Sequence, residues 1–284
     1  MNSRECPFRR VAIIGAGLIG GSWGLALKRA GFHGIRVGCD RAEVLAKAIT
    51  SGAIDEAQET LRRAAAGADL LILAAPVGTI LRLLPEVKAV VSPGVLITDT
   101  GSTKITIMEE ARKLFSGEPM FLGGHPLAGK ERSGIENADA ALFDGTVYVL
   151  TPNEDRAMGD ARSGAFRDLI SSVGARVVVM DAVAHDEAAA WLSHLPQLVS
   201  TALASVASER DRLPLSLAAT GFRDMTRLAE SPYPVWRDIC ATNAGNIREA
   251  LDALIAKLAF MRDELPAEAL EREFERAMRL REKL

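Results

Sequence analysis

Cysteine is scarce in this chain: Cys6, Cys39 and Cys240 are odd in number and far apart. That spacing excludes a disulfide framework and any cysteine-based metal motif, and it fits a reducing cytoplasm. Excess charge of one sign is also missing. A net charge of −3 argues against general binding to nucleic acid or to a membrane surface, so an anionic ligand must meet local positive groups. Aromatic residues make up 5% and histidines number only four. Uninterrupted hydrophobic runs are lacking. The stretch 11–27 carries five glycines in 17 residues with no cleavage pattern after it, and does not read as a signal peptide. Residues 188–208 hold no formal charge over 21 positions, which is enough to span a bilayer. They also contain Ser193, His194, Pro196, Gln197, Ser200, Thr201, Ser205 and Ser208, so a buried soluble helix explains them better.

What is present is ordinary globular composition, 48% hydrophobic and 25% charged over 284 residues. Short apolar runs occur at 10–17, 35–40, 69–76, 94–101, 119–124, 146–152 and 175–180. They are nearly continuous in Val, Ile and Leu, as expected of strands covered on both faces. Helical patterns lie between them, which predicts an α/β, doubly wound parallel sheet of Rossmann type. After Asp181 only helical patterns remain. The expected division is a dinucleotide-binding domain over 1–181 and an all-helical domain over 182–284. Residues 181–210 read as one or two helices bent by Pro196, 238–265 as another and 267–284 as a last one. A helix apolar on most faces needs more cover than about a hundred residues supply, so the helical part is expected to build a homodimer.

"VAIIGAGLIGGSWGLAL" fits G-x-G-x-x-G at Gly15, Gly17 and Gly20, between a strand and a helix, and Asp40 ends the next strand 20 residues after Gly20. Gly15 permits the tight turn, Gly17 the approach of a pyrophosphate and Gly20 close helix–strand packing. Gly17, Leu18 and Ile19 open the helix, whose unpaired N–H groups attract phosphate. Asp40 suits ribose hydroxyls and repels a 2′-phosphate, favouring NAD over NADP; Arg41 beside it pulls the other way.

On such a fold the nicotinamide lies at the carboxyl ends of the strands, where "ITDTGSTKI" and "FLGGHPLAG" both emerge. Asp99, Ser102, Lys104 and His125 are thereby gathered. Gly123, Gly124, Ala128 and Gly129 clear space around His125, as a docking ligand requires. Plainer roles stand beside these: His125 as a turn residue, Ser102 or Thr103 as an N-cap, and Lys104 with Asp99 as a surface pair.

The set "GAGLIGGS", "DTGSTK", "GGHPLAGKERSG", "HDEAAAWLSHLPQL" and "GFRDMTRLAESPYPVW" resembles the prephenate/arogenate dehydrogenase family of tyrosine biosynthesis, in family order from about residue 11 to 240. The resemblance implies a dianionic cyclohexadienyl substrate that gives a hydride to NAD⁺, a hydroxyl proton to the enzyme and its ring carboxylate as CO₂. It implies that His125 takes the hydroxyl proton and that Ser102 orients His125. By the same resemblance Arg227 grips a substrate carboxylate and His194 is a second substrate-site histidine. Glu131 regulates access, Asp224 joins an ionic network, and Trp236 is offered across the dimer interface.

His185 precedes His194 by nine residues, about half a turn out of phase in a regular helix, and is expected to be structural. His33 reads as an exposed loop residue. Lys130 and Arg132 read as exposed charges that add positive potential near the pocket. Two alternatives remain: another two-domain dehydrogenase of the β-hydroxyacid or imine-reductase type, and a non-catalytic NAD-sensing protein.

Overall fold

The computed structural model describes residues 7–153, 158–211, 213–265 and 268–283; Cys6 lies outside them. One sheet contains β1 (Arg10–Ile14), β2 (Ile35–Cys39), β3 (Glu56–Gln58), β4 (Leu70–Leu73), β5 (Leu96–Asp99), β6 (Met120–Pro126), β7 (Val147–Pro152) and β8 (Arg176–Val179), in the order β3-β2-β1-β4-β5-β6-β7-β8. The helices threaded between these strands are α1 (Leu18–Arg29), α2 (Ala42–Ser51), α3 (Leu61–Ala65), α4 (Val77–Val90), α5 (Ile105–Leu114) and α6 (Ala161–Ser172). The strand order reverses between β1 and β4, the place where doubly wound sheets open a crevice for ligands.

Strand residues alternate between two cores. Val11, Ile13, Leu70 and Ile72 pack on one face, where Trp23 lies against Phe143, Tyr148 and Phe166 with ring centroids 5.3, 5.7 and 6.0 Å away. Ala12, Ile14, Leu71 and Leu73 pack on the other. This two-sided burial accounts for the continuous apolar runs. Each fully buried Leu, Ile or Val contributes about 1.5–3 kcal/mol by leaving water.

The sheet departs from the expectation in two places. β6 and β7 are antiparallel, with Leu122 opposite Pro152 and Pro126 opposite Tyr148. Their connection holds only a 3₁₀ turn at Ile135–Asn137, and without a crossover helix the chain returns in the opposite direction. β3 has no apolar signal because it is three partly exposed residues at the sheet edge.

Beyond Val179 the described residues hold no strand. They form α7 (Ala182–Ala189), α8 (Leu195–Ser208), α9 (Thr220–Thr226), α10 (Tyr233–Thr242), α11 (Ala244–Asp263) and α12 (Ala269–Arg281). Two expected helices are interrupted. A π-helical turn, Ala190–His194, joins α7 to α8. Pro196 follows at the start of α8 with no N–H to return to the preceding turn, and the ladder widens there. The helix expected over 238–265 breaks at Asn243, whose side chain bonds to its surroundings instead of facing solvent. No described helix is long and apolar enough to cross a membrane.

Hydrogen bonds behind the site join the two halves. The Asp238 carboxylate accepts the Gly78 N–H at 2.9 Å, and the Thr103 and Thr242 hydroxyls lie 2.7 Å apart. Asp186 reaches the start of α5.

Candidate active site

A cavity of about 880 Å³ opens at the carboxyl ends of β1, β4, β5 and β6, with the helical half forming its other wall. Gly15 and Gly20 are fixed by packing: a Cβ on Gly15 would sit 2.3 Å from the Ala74 carbonyl oxygen, and one on Gly20 1.9 Å from that of Gly15. Gly15 also has φ +95°, which disfavours any side chain. Gly17 differs, because a Cβ there would meet nothing within 4 Å. Gly17, Leu18 and Ile19 line the cavity, and no side chain caps α1. Its first N–H groups have no helical acceptor and open onto that space. An unfilled cradle at a helix N-terminus fits a dinucleotide pyrophosphate.

Asp40 stands behind this turn. It accepts the N–H of Ala16 at 2.8 Å and of Arg41 at 2.7 Å, and each carboxylate oxygen keeps a lone pair for a ribose hydroxyl. Arg41 extends into solvent and pairs with Glu43 at 2.9 Å.

His125, at the end of β6, is buried and lines the cavity. Its Nδ1 lies 2.8 Å from Nε2 of His185, while its own Nε2 has no partner among the described residues. Burial first, then the neighbouring His185, Lys104 and His194, push its pKa well below the usual histidine value. The ring is therefore a neutral base at neutral pH.

Lys104 and Asp99 are not a surface pair. Both side chains are fully buried and ion-paired behind the cavity wall. They grip one residue, Gly124, from both sides: Asp99 accepts its N–H at 3.1 Å, and Lys104 donates to its carbonyl at 2.8 Å. Burial pulls the Lys104 pKa down while Asp99 opposes it.

Ser102 lines the cavity without a hydrogen-bond partner among the described residues. It does not hold His125; His185 does. Neither Ser102 nor Thr103 caps α5. That helix starts at Ile105, and the Asp186 carboxylate accepts the N–H groups of Lys104 at 2.6 Å and Ile105 at 2.9 Å.

His194 leaves the π-helical turn buried against the cavity. The Asn243 amide donates to the Asp186 carbonyl at 2.7 Å and lies 3.2 Å from His194 Nδ1. The Asn243 oxygen accepts from Asn246, so its nitrogen faces His194. His194 Nδ1 must then be the acceptor, and Nε2 carries the hydrogen. Burial lowers its pKa to about 4. Of the imidazoles on the cavity wall, His125 and His194 are neutral, and His194 is the donor.

Arg227 and Glu131 both line the cavity and are ion-paired to each other, with Arg227 largely exposed. Lys130 sits at the rim, held by Asp139 at 3.0 Å. Trp236 lies edge-on to His194, ring centroids 5.9 Å apart, and lines the cavity of its own chain. It reaches the site without crossing an interface. Asp224 is exposed and does not line the cavity: α9 ends at Thr226, and a 3₁₀ turn from Arg227 redirects the chain. Arg132 is likewise exposed and outside the lining, and His33 is exposed in a loop.

Sequence reasoning missed His185, Asp186 and Asn243. A half-turn offset between His185 and His194 holds only in a regular helix, and the π-helical turn between the two histidines changes their phase. The adjacent His-Asp pair was the available signal.

Comparison with known proteins agrees with this arrangement. A family model described as prephenate dehydrogenase, nucleotide-binding domain, matches residues 23–179, and one described as prephenate dehydrogenase, dimerization domain, matches residues 181–280. Prephenate dehydrogenase of Lactococcus lactis subsp. cremoris is 36% identical over 96% of this chain and 77% of its own length. Cyclohexadienyl dehydrogenase of Zymomonas mobilis is 33% identical over 90% of this chain and 88% of its own. A crystal structure of prephenate dehydrogenase from A. aeolicus, in complex with hydroxyphenyl propionate and NAD⁺, superposes with a TM-score of 0.85 at 30% identity, covering 97% of this chain and 96% of that one. These matches show that the chain belongs to the prephenate dehydrogenase family.

Proposed function

We propose that this chain oxidatively decarboxylates a cyclohexadienyl dianion, prephenate or arogenate, to 4-hydroxyphenylpyruvate or tyrosine, with NAD⁺ preferred over NADP⁺. The observation that carries the reading is a neutral His125, its Nε2 without a protein partner, on the same cavity as the open glycine cradle.

A bound nicotinamide dinucleotide supplies the hydride acceptor. Gly17, Leu18 and Ile19 hold its phosphates and Asp40 its ribose. His125 Nε2 accepts the proton of the substrate hydroxyl, and Ser102 offers that hydroxyl a further hydrogen bond. His194 donates from Nε2 to a substrate oxygen. Arg227 exchanges Glu131 for a substrate carboxylate, its planar fork suiting a two-point grip. Glu131 then governs admission, because the carboxylate must displace it. Asp224, from its exposed position, contributes at most to the field around Arg227.

The working unit proposed is a cytoplasmic homodimer closed through the helical half. Leu192, Leu217 and Tyr233 are 80%, 78% and 72% exposed there, which is apolar surface that a second copy would cover.

A substrate panel tests the reading. Purified protein is given prephenate, arogenate, β-hydroxyacids and cyclic imines, each with NAD⁺, NADP⁺ or the reduced forms. Reduced nucleotide and CO₂ appearing in equal amounts from prephenate or arogenate is the expected outcome. Turnover of a β-hydroxyacid or an imine alone would replace the reading. Dinucleotide binding with no turnover would leave a sensor.

A further inference from the structure

We infer that His185 and Asp186 are positioning residues that fix the tautomer of His125, holding hydrogen on Nδ1 and leaving Nε2 as a bare acceptor. The inference deepens the proposed reaction and rests on it.

A hydrogen-bond chain leads to His125 from a fixed end. Asp186 is fully buried. Its oxygens accept two backbone N–H groups at the start of α5, where the helix end also favours negative charge. An ionised carboxylate only accepts. His185 Nδ1, 2.7 Å from Asp186 Oδ1, must therefore donate. With a single hydrogen on the His185 ring, committed to Asp186, Nε2 holds a lone pair. That lone pair faces His125 Nδ1 at 2.8 Å, so His125 Nδ1 donates in turn. The second hydrogen position of His125 is then empty, and Nε2 is the basic atom.

The opposite tautomer is disfavoured along the whole chain. Hydrogen on His125 Nε2 would set two lone pairs face to face unless His185 also flipped. A flipped His185 would turn its Nδ1 lone pair against the Asp186 carboxylate. The rings meet edge to edge, at 67° with centroids 5.0 Å apart, a geometry for an in-plane hydrogen bond and not for stacking.

The same chain acts during proton transfer. The substrate O–H bond breaks with its electron pair left on oxygen, and the proton binds Nε2. The Nδ1 hydrogen stays where it is. His125 becomes an imidazolium, and His185 passes the stabilising field of a buried carboxylate to it through two short hydrogen bonds. Because Asp186 also caps α5, the base and the Ser102 loop are tied to one anchor. His185 lines the cavity as well, yet its role is exerted through His125.

Tautomers are read directly from two-bond ¹H–¹⁵N correlations of ¹⁵N-histidine in the full chain. The four rings are assigned by single substitutions, at a pH above the histidine range. His125 is expected as the Nδ1–H form. In His185→Phe it should shift to a mixture or to the Nε2–H form, and kcat should fall roughly 10–10³-fold with KM changed little. His185→Gln places an amide near the lost Nε2, and its oxygen can accept from Nδ1; it should recover part of both signals. A purely packing role would favour Phe over Gln. Wild-type His125 in the Nε2–H form would overturn the inference, and so would an unchanged tautomer with unchanged kcat in His185→Phe. The proposed reaction fails separately: full activity of His125→Asn would remove the base, while the tautomer spectrum would still judge His185.

Discussion

Asp99 and Lys104 hold the two peptide groups that flank Gly124, the carboxylate taking the N–H of one and the ammonium the carbonyl of the other, with both side chains out of water. His125 is the next residue, so the ring is aimed by a clamp on its own backbone. Removing one member of such a pair leaves an uncompensated buried charge. Lys104→Met is expected to lose about 3–5 kcal/mol of stability in urea unfolding. The double change Lys104→Met with Asp99→Asn should recover part of the loss because no charge is then stranded. A single variant as stable as wild type would show that the pair does not support the fold.

Gly17 and Gly20 belong to the same turn but should fail differently. Gly17 has an open side at φ −75°, ψ −147°, so Gly17→Val should still fold, with only a modest loss of stability from its ψ. Its methyl groups would occupy the phosphate cradle, and dinucleotide Kd should rise at least about tenfold, since a lost charged hydrogen bond is worth roughly 1.5–3 kcal/mol. Gly20→Val should instead destabilise the fold, because its Cβ position overlaps the Gly15 carbonyl. Calorimetric titration with NAD⁺ beside thermal unfolding separates the two. Unaltered NAD⁺ binding in Gly17→Val would put the pyrophosphate elsewhere.

Arg227 and Glu131 should respond with opposite signs. Arg227→Ala removes a charge-assisted grip worth roughly 1.5–3 kcal/mol, so KM should rise about 10–100-fold. Glu131→Gln frees the guanidinium from its competitor, and KM should fall. Both follow from steady-state kinetics with the better of the two substrates. Equal rises in KM would show Glu131 contacting substrate itself instead of competing with it.

Much of this was legible because two-sided burial writes itself into composition. The seven apolar runs are strands, and the glycine spacing locates the cradle between β1 and α1. What stayed hidden lacked a local signature. The antiparallel return of β7 depends on a connection without a helix, and β3 has no apolar residue to bury beyond Ala57. Asn243 reads as one more polar position in a helical period, although its amide joins Asp186 to His194. His185 looked out of phase because periodicity counts 3.6 residues per turn, and the wider turn at Ala190–His194 breaks that count. Trp236 and Asp224 show the converse: motif resemblance named both, and only the folded chain separates the one that lines the cavity from the one that does not.

Acid pH should affect catalysis and stability through two different histidines. In the proposed reaction His125 works unprotonated, and burial with His185, Lys104 and His194 around it lowers its pKa well below 6.5. Activity should therefore hold as pH falls through 6.5 and decline only beneath it, and His125→Asn should lose about 10²–10⁴ in kcat at every pH. An acid limb in kcat/KM centred at or above 6.5 would contradict a desolvated base. Both histidines add to the acid loss of stability, and His194 is the one that can be removed without touching the base. The folded pKa of His194, about 4, lies below the 6.5 of an ordinary histidine. Between those values the unfolded chain binds the extra proton, so unfolding becomes easier as pH drops. The contribution is complete above 6.5 and shrinks toward pH 4, by on the order of 3 kcal/mol in all. Urea midpoints followed across this window should fall more steeply for wild type than for His194→Gln, which has nothing to protonate. Parallel slopes would place the titrating groups elsewhere and leave His194 free to charge in the folded state.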